Sequence, residues 1–449
     1  MSRSINNKID IFIVSAAFFL EVLDATIFTP VLIDISHNLN VPIGIATISI
    51  ASYIFSLAIF TPLSVNFFSR TSAKKKFILG MMIFFIASFL CSISDNIYHL
   101  SISRILQGFG SALVVPIGRT LVLGKTKREN IPIVMTYLIF PALFAPVVAP
   151  IIGGYITQNY SWRFIFYLIL ILSLFILMIS IKWLSNERVI FKDSDKVDLL
   201  SYSIWFGLVF SIFSFFALAT NDYITLALLS VCAAFLFLHL IIKCKNKILD
   251  SNLLSNHFFK MNIVYGGFFR VAIYCFPVFL VLSLISIFNY TPLMSGICIV
   301  FIFIGNILAK PIAARILSKT KNVKFYFAVS SFMTFFSVLC FLNGEIYNDA
   351  IFVYFLCFMH GIARSFQFLG YSSVAFYEIK KEDLYKANTL NNSVMQLNAM
   401  LGQSIPALLS TVINFNENGL MYLYVYISIV CILLLIPFIN SFFIKSEVV

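Results

Sequence analysis

The stretch IYHLSISRILQGFGSALVVPIGRTLVL, residues 97–123, is mostly apolar but carries an arginine, Arg104, well inside it. About 20 helical residues at ~1.5 Å each cross a hydrocarbon core about 30 Å thick, so one helix over this stretch spans a bilayer. A charge at that depth is costly and usually faces a cavity or a charged partner. The stretch therefore predicts a membrane span in which Arg104 has a specific partner.

The rest of the chain supports the same interpretation. Of its 449 residues, 60% are apolar and only 11% are charged. A soluble domain of this size could not bury so much apolar surface. The first apolar run continues past Asp24 without a cleavage site, which indicates a retained span and not a signal peptide. The limits of the fourteen candidate spans are 10–32, 43–67, 77–94, 97–123, 131–157, 161–184, 199–219, 222–243, 262–287, 292–316, 324–343, 349–376, 388–413 and 420–444.

Positive charges lie in alternate loops. The basic loops contain the segments SRTSAKKK, GKTKREN, NERVIFKDSDK, KCKNK, SKTKNVK and EIKKEDLYK. The loops between them hold no Lys or Arg apart from Arg163. Basic loops stay on the cytoplasmic side, so we expect a bacterial inner-membrane protein with both termini in the cytoplasm. The net charge of +12 is then explained by topology, and no nucleic-acid partner is expected.

An internal repeat divides the chain. Residues 62–71, PLSVNFFSRT, resemble residues 311–320, PIAARILSKT, and each segment follows the second span of a set of six. Parallel repeats of this kind are typical of one large class of transporters. We therefore predict an all-α polytopic fold with six-helix bundles in residues 1–190 and 259–449. Two further spans, in residues 191–258, are inserted between the bundles and are expected to pack at the periphery.

Two acidic residues lie well inside a span. Glu21 and Asp24 are three residues apart and share one helix face. The helical rise places Asp24 ~11 Å from the outer end of its span and Arg104 ~10 Å from the outer start of its own. We therefore expect Asp24 and Arg104 to form an ion pair. Such a pair either locks two helices together or serves a carboxylate that binds a transported proton.

Three segments resemble motifs of the fourteen-span drug:proton antiporters of the major facilitator superfamily. They are LDATIFTP at residues 23–30, SRILQGFG at residues 103–110 and APVVAPIIGG at residues 145–154. The resemblance covers essentially the whole chain and implies the major facilitator fold, with Asp24, Glu21 and Arg104 as the proton-coupling residues. The residues that it assigns to helix packing and the antiporter motif are Gln107, Gly108, Gly110, Pro146, Pro150, Gly153 and Gly154.

Two features depart from the family pattern. The cytoplasmic loop after the second span lacks the usual Gly, Asp and Gly, but keeps the basic residues Arg70, Lys74 and Lys75 as a candidate gating loop. Glu21 stands where the family more often has an uncharged residue. It is interpreted as a second proton site or as a carboxylate that recognises a cationic substrate.

Candidate substrate-cavity residues lie in the C-terminal half. They are Arg270, His360, Arg364, Asn391, Asn392, Gln396 and Asn398. The two arginines have no deep acid in their own half, so they pair with carbonyl groups, extend to the membrane surface, or bind an anionic substrate group. His360 is either a titratable functional residue or a packing residue. The polar stripe of the thirteenth span faces a water-filled cavity or another helix.

The expected function is proton-coupled export of small amphipathic organic compounds, of the multidrug type, by alternating access. The alternatives are a dedicated exporter of an endogenous metabolite such as a siderophore, and an uptake symporter, which the fifth-span motif disfavours. An enzyme is not expected, because the loops are short and plain. The scattered cysteines and the lack of a GxxxxGK[ST] motif predict no metal, no cofactor and no ATP as driving force. The expected partners are the substrate, protons and lipid, with the monomer as the functional unit.

Overall fold

The structure, a computed structural model, describes residues 2–63, 72–126, 131–186, 199–220, 223–243, 251–320, 322–376, 379–380, 383–413 and 415–443. These ranges are helical almost throughout. Their α-helices are α1 (Ser2–Ile27), α2 (Leu32–Asn38), α3 (Ile43–Phe60), α4 (Ala73–Ser92), α5 (Ile97–Leu123), α6 (Ile131–Asn159), α7 (Arg163–Trp183), α8 (Leu199–Ala219), α9 (Ile224–Lys243), α10 (His257–Ser286), α11 (Pro292–Lys319), α12 (Val323–Leu339), α13 (Ala350–Val374), α14 (Leu384–Val412) and α15 (Phe415–Ser441).

Thirteen helical segments of the described ranges are long and apolar enough to cross a membrane. The first, Lys8–Asn38, joins α1 to α2 through a short 3-10 turn that contains Pro30, a residue without a backbone N–H. The predicted span at 388–413 corresponds to α14, which is long enough but carries the polar stripe and is therefore less apolar. The predicted fold class, an all-α polytopic membrane protein, is confirmed.

Short polar residues in the connecting turns start many of these helices. Asn96, for example, accepts a hydrogen bond from the backbone N–H of His99 at 2.8 Å and begins α5. Such a cap satisfies one of the N–H groups that a helix leaves unpaired at its start. Equivalent caps are provided by Ser72, Asn256, Thr291, Asn322 and Asp349.

The helix packing repeats within the chain. In the N-terminal half α5 packs against α4 and α3, α6 against α1, and α7 against α4 and α1. In the C-terminal half α13 packs against α12 and α11, α14 against α10, and α15 against α12 and α10. Each half is therefore a six-span bundle of the same design. Of the two predicted domain boundaries, residue 190 lies outside the described residues, and residue 259 lies just inside α10.

The two halves meet along two helix pairs, α3 with α14 and α6 with α11. The approach is close at the ends that the loop charges predict to lie outside the cell (the outer ends). A Cβ atom on Gly154 would lie 2.7 Å from the carbonyl oxygen of Pro292, and one on Gly44 would overlap the side chain of Thr411. Small residues permit such close packing of helices in a membrane. The halves are therefore held tightly together at their outer ends.

The inserted pair packs on one side of this assembly. Helix α8 contacts α3 and α14, and α9 packs against α8 and leaves most of its surface exposed. The indole N–H of Trp205 on α8 donates to the carbonyl oxygen of Ala58 at 3.0 Å. Pro62, four residues later in the chain, has no N–H to offer that carbonyl. The pair is thus attached at the periphery of the two bundles.

Candidate functional site

A buried ion pair joins α1 to α5. The guanidinium Nη1 of Arg104 donates to Oδ2 of Asp24 at 2.7 Å, and both side chains are 0% exposed. Asp24 lies near the end of α1 and Arg104 in the second turn of α5, which runs in the opposite direction. The two residues therefore reach the same depth, and the pair expected from their positions in the sequence is present.

Gln107 connects this pair to a third helix. Its Oε1 accepts from Nη1 of Arg104 at 2.6 Å, and its Nε2 donates to Oδ1 of Asp24 at 3.2 Å. The same Nε2 donates to Oγ of Ser88 on α4 at 2.9 Å. Gln107 follows Arg104 by three residues and so lies on the same face of α5. Both oxygens of the Asp24 carboxylate therefore accept hydrogen bonds. The family resemblance assigned Gln107 to helix packing and did not indicate that it bridges the ion pair.

Aromatic rings surround the guanidinium. Its carbon lies 4.5 Å from the ring centroid of Tyr53, 4.8 Å from that of Phe28 and 6.0 Å from that of Phe166. Nε and Nη2 of Arg104 have no hydrogen-bond partner among the described residues. The rings exclude water and attract the cation through their π faces. In such an apolar setting the charges of Asp24 and Arg104 interact more strongly than they would in water.

The glycines of the fourth-span motif let neighbouring helices come close to the pair. A Cβ on Gly108 would overlap the backbone of Tyr53 on α3, and one on Gly110 would lie 2.7 Å from the carbonyl oxygen of Gly80 on α4. Ser56 on α3 adds a hydrogen bond from its hydroxyl to the carbonyl oxygen of Ile105 at 2.6 Å. The motif therefore sets the distance between α5 and both neighbours.

The fifth-span motif has a similar effect on α6. Pro146 and Pro150 lie within one continuous helix, and a Cβ on Gly153 would overlap the carbonyl oxygen of Ile27 on α1. Gly154, the next residue, faces α11 in the other half. The Gly-Gly pair thus brings α6 against α1 on one side and against the opposite bundle on the other.

Pro141, which we did not single out in the sequence, leaves a carbonyl group of α6 without its helical hydrogen bond, and a side chain of α1 replaces that bond. Proline lacks an N–H, so the carbonyl of Tyr137, four residues earlier, loses its helical donor. The hydroxyl of Ser15 on α1 donates to that carbonyl at 3.0 Å. The available signal was Pro141 itself, because a proline inside a helix leaves the carbonyl four residues earlier without its helical donor.

Asp10 is a second buried acid, and our sequence analysis missed it. It is 1% exposed and accepts from Nζ of Lys125 at 2.9 Å, from the backbone N–H of Ser185 at 3.0 Å and from the Ser185 hydroxyl at 2.6 Å. It joins the beginning of α1 to the segments that follow α5 and α7. In the sequence Asp10 lies near the start of a span, where a charged residue is ordinarily exposed at the membrane surface.

Glu21 lies three residues before Asp24 on α1 and takes no part in the hydrogen bonds of the ion pair. It is partly exposed and lines a cavity of about 10 Å³ together with Ser111 and Phe84. A cavity of this size holds about one water molecule. The Arg119 guanidinium on α5 lies close enough for its charge to interact with that of Glu21, and it stacks 5.5 Å from the ring centroid of Phe18. We did not anticipate Arg119 from the sequence.

Of the basic residues at the start of α4, Lys74 contacts its own half. Nζ of Lys74 donates to the carbonyl oxygen of Ile181 near the end of α7 at 2.9 Å. Lys75 is exposed, and Arg70 lies outside the described residues. The predicted role of these residues in gating stays a prediction.

In the C-terminal half Arg270 is paired with neutral groups. Its Nη1 donates to Oδ1 of Asn262 at 2.9 Å, and its Nη2 to the backbone carbonyl oxygen of Asn262 at 2.6 Å. Nδ2 of Asn262 in turn donates to Oδ1 of Asn391 at 2.8 Å. Of the three alternatives for Arg270, pairing with a carbonyl group is therefore the one observed. Asn262, two helical turns before Arg270 on the same face, was missed.

The polar stripe of α14 is divided between two environments. Asn391 contacts α10 through Asn262, and Asn398 lies beside Gly267 of the same helix. Asn392 and Gln396 are partly exposed and make no hydrogen bond to the described residues. One face of the stripe thus packs against a helix, which is the alternative that we weighed against a cavity.

His360 lies in the packed interior of its half and is 1% exposed. Its Nδ1 is 2.9 Å from Oγ of Ser337 on α12, and its ring centroid is 4.3 Å from that of Phe276. This contact of α13 with α12 corresponds to the contact of Gln107 with Ser88 in the other half. The structure thus gives His360 the surroundings of a packing residue and not those of a cavity-lining residue.

Comparison with known proteins agrees with this architecture. The Major Facilitator Superfamily model matches residues 14–243. "Putative multidrug resistance protein MdtD" of Pectobacterium carotovorum subsp. carotovorum (strain PC1) is 24% identical over 97% of this chain and 95% of its own length. The protein of the same name from Escherichia coli O17:K52:H18 is 22% identical over 90% and 86%.

Solved structures share the fold at low identity. The nucleoside transporter NupG gives a TM-score of 0.68 at 12% identity and covers 97% of this chain and 100% of its own. The xylose transporter XylE from E. coli, in a partially occluded inward open conformation, gives 0.64 at 11% identity and covers 98% of both chains. With its two six-span bundles and a family match over more than half of its length, this chain belongs to the Major Facilitator Superfamily of membrane transporters.

Proposed function

We propose that the protein is a proton-coupled antiporter that exports small amphipathic organic compounds by alternating access. The observation that carries the proposal is the fully buried Asp24–Arg104 pair, bridged by Gln107 inside a transporter bundle. Similarity over nearly the whole chain to a protein named for multidrug resistance supports the substrate class.

The pair supplies a route from protonation to conformational change. An opposite charge stabilises a carboxylate in its ionised form, so Asp24 takes up a proton only when its contact with Arg104 loosens. Neutral Asp24 no longer compensates the guanidinium, which must then find other partners or move. Because Gln107 links the pair to Ser88, this change is transmitted to α4 as well as to α1 and α5.

The contacts between the halves support a starting state that is closed to the outside. Their tight outer contacts at Gly44 and Gly154 close the path to the outside. Substrate would then enter from the cytoplasm, and the outer contacts would separate when the halves rock. The proposed setting is the bacterial inner membrane, with both termini cytoplasmic and the monomer as the transporting unit.

Everted membrane vesicles test the direction and the driving force. Vesicles from cells that produce the protein are energised, and accumulation of ethidium, Nile red and fluorescein is followed by fluorescence. We expect accumulation of at least one dye, stopped by a protonophore and reduced to background by Asp24→Asn. Accumulation that a protonophore leaves unchanged would contradict proton coupling. Energised accumulation in right-side-out vesicles would identify an uptake symporter instead.

A further inference from the structure

Two cationic side chains of the C-terminal half, Arg364 on α13 and Lys310 on α11, lie inside membrane spans. Arg364 lies ten residues before the end of α13, or ~15 Å by helical rise, and Lys310 nine residues before the end of α11, or ~14 Å. Their charges are close enough to interact. Tyr274 on α10 is also close enough to interact with the charges of both Arg364 and Arg270. We call Lys310 and Arg364 the cation cluster.

Arg364 is the unsatisfied member of the cation cluster. It is 6% exposed, and its Nε and Nη1 are buried without a hydrogen-bond partner among the described residues. Its guanidinium lies 5.2 Å from the ring centroid of Phe303 on α11. Arg270, in contrast, has both terminal nitrogens bonded to Asn262. A buried guanidinium with free N–H groups is costly, so the site is complete only with an acceptor from elsewhere.

The described part of this half offers no carboxylate for that purpose. Its acidic side chains lie at helix ends or in short connecting segments, as Glu345, Asp349 and Asp383 do. Both ion pairs found among the described residues belong to the N-terminal half. There Asp24 neutralises Arg104, whereas the charge of the cation cluster is left uncompensated.

We propose that the cation cluster binds the carboxylate or sulfonate group of an amphipathic organic anion, which is the transported substrate. Nη2 of Arg364 makes no hydrogen bond to the described residues either, and together with Nε or Nη1 it presents two parallel N–H groups that match a carboxylate in a bidentate arrangement. The neighbouring rings of Phe303 and Tyr274 provide an apolar surface for the rest of the molecule. The depth of the cluster, near the middle of the membrane, suits a site that becomes accessible from either side as the halves rock. This inference rests on the proposed export function and specifies its substrate class.

Equilibrium binding tests the proposal without a proton gradient. The full-length protein is placed in nanodiscs of zwitterionic lipid, and binding of 1-naphthaleneacetate and its uncharged amide, 1-naphthaleneacetamide, is measured by calorimetry. The two probes differ only at the group that the cluster would recognise. Charge-assisted hydrogen bonds of about 1.5–3 kcal/mol predict that the acid binds about 10- to 100-fold more tightly than the amide. Equal binding of both probes, or binding of neither, would overturn the proposal.

Variants assign the preference to Arg364. Arg364→Gln should abolish the preference for the acid and leave the affinity for the amide unchanged, and Arg364→Lys should keep part of it. Arg315→Gln removes an exposed cation from the same region of α11 and should bind like the wild type. A full preference retained in Arg364→Gln would overturn the assignment. If that variant does not fold, the comparison of wild type with Arg364→Lys decides. Asp24→Asn should leave binding of the acid intact, so a failure of proton coupling is distinguishable from a failure of this inference.

Discussion

At the scale of residues, the central feature is a pair of charges with no exposed surface. Removing one partner of a buried pair leaves the other charge unpaired, at a cost of about 3–5 kcal/mol. Asp24 and Arg104 therefore depend on each other, and Gln107 holds the geometry in which both carboxylate oxygens are used. Protonation of Asp24 disturbs the same arrangement, because it neutralises one of the two charges.

Arg104→Lys tests the role of the guanidinium. A lysine keeps the charge but has neither the planar fork nor the face that stacks on Tyr53. Ionised Asp24 would be less well stabilised and would take up a proton at lower acidity. We therefore expect the pH profile of dye transport in everted vesicles to shift to higher pH, with a lower maximal rate. Arg315→Lys is the matched control, and a pH profile in Arg104→Lys equal to that of the control would contradict the role of the guanidinium.

The sequence was sufficient to predict this pair but not its surroundings. Apolar context and helical rise place Asp24 and Arg104 at one depth, and depth determines which charges can meet in a membrane. The bridge through Gln107 depends on the rotation of α5 about its axis, which a single sequence leaves open. Asp10 was missed because its burial comes from Ser185 and Lys125, which are distant in the chain.

At the scale of elements, glycines determine how closely the helices approach one another. A Cβ on Gly110 would lie 2.7 Å from both the carbonyl oxygen of Gly80 and the backbone nitrogen of Phe84. Backbone atoms cannot turn aside as a side chain can, so α4 and α5 would have to separate. The ion pair joins α5 to α1, and Gln107 links it to Ser88 on α4, so its geometry depends on that spacing.

Gly110→Ala should destabilise the protein by about 1–3 kcal/mol, the usual cost of an added group in a close-packed interior. The measurement is thermal unfolding of the protein in detergent, followed by tryptophan fluorescence. Gly344→Ala is the control, because the nearest atom to its new Cβ is 3.9 Å away, on the side chain of Leu420. A melting temperature for Gly110→Ala equal to that of Gly344→Ala would show that the helices are not closely packed there.

The limits of the helices were less predictable than their number. The turn around Pro30 adds a short helix to the first span, because the chain continues to Asn38 after the interruption. Helix α14 spans the bundle although its polar face lowers its hydropathy, since part of that face is satisfied by α10. The hydropathy of one segment carries no information about hydrogen-bond partners on another helix.

At the scale of the whole molecule, two bundles of the same design meet along two helix pairs. The repeat at residues 62–71 and 311–320 indicated this design, and the matching helix contacts follow it. Which end of the molecule is closed could not be inferred from the sequence, because it depends on the relative position of two rigid halves. The structure has the tight contacts at the outer ends.

Cross-linking those ends should stop transport. A Cβ on Gly44 would lie 3.3 Å from Oγ of Ser410, which brings a disulfide between Gly44→Cys and Ser410→Cys within reach. The same Cβ would lie 2.6 Å from the carbonyl oxygen of Ala407, so α3 and α14 must separate slightly, and the single variant Gly44→Cys measures the effect of that separation on transport. We expect oxidation of the double variant to stop dye transport and reduction to restore it, with both single variants as controls. Replacement of the exposed Cys232 by Ser removes a competing thiol. Full transport by the cross-linked protein would contradict opening at this end.

The most direct test of the central claim separates proton coupling from substrate translocation. Wild-type protein and the Asp24→Asn variant are reconstituted into proteoliposomes, and a transported dye is followed in two assays, accumulation driven by a pH gradient and exchange of labelled for unlabelled dye without a gradient. Asparagine keeps the size of the side chain and can still accept from Arg104, but it cannot bind and release a proton. We predict that Asp24→Asn loses gradient-driven accumulation and retains exchange. Accumulation at the wild-type level in Asp24→Asn would contradict the assignment of Asp24 as the proton carrier.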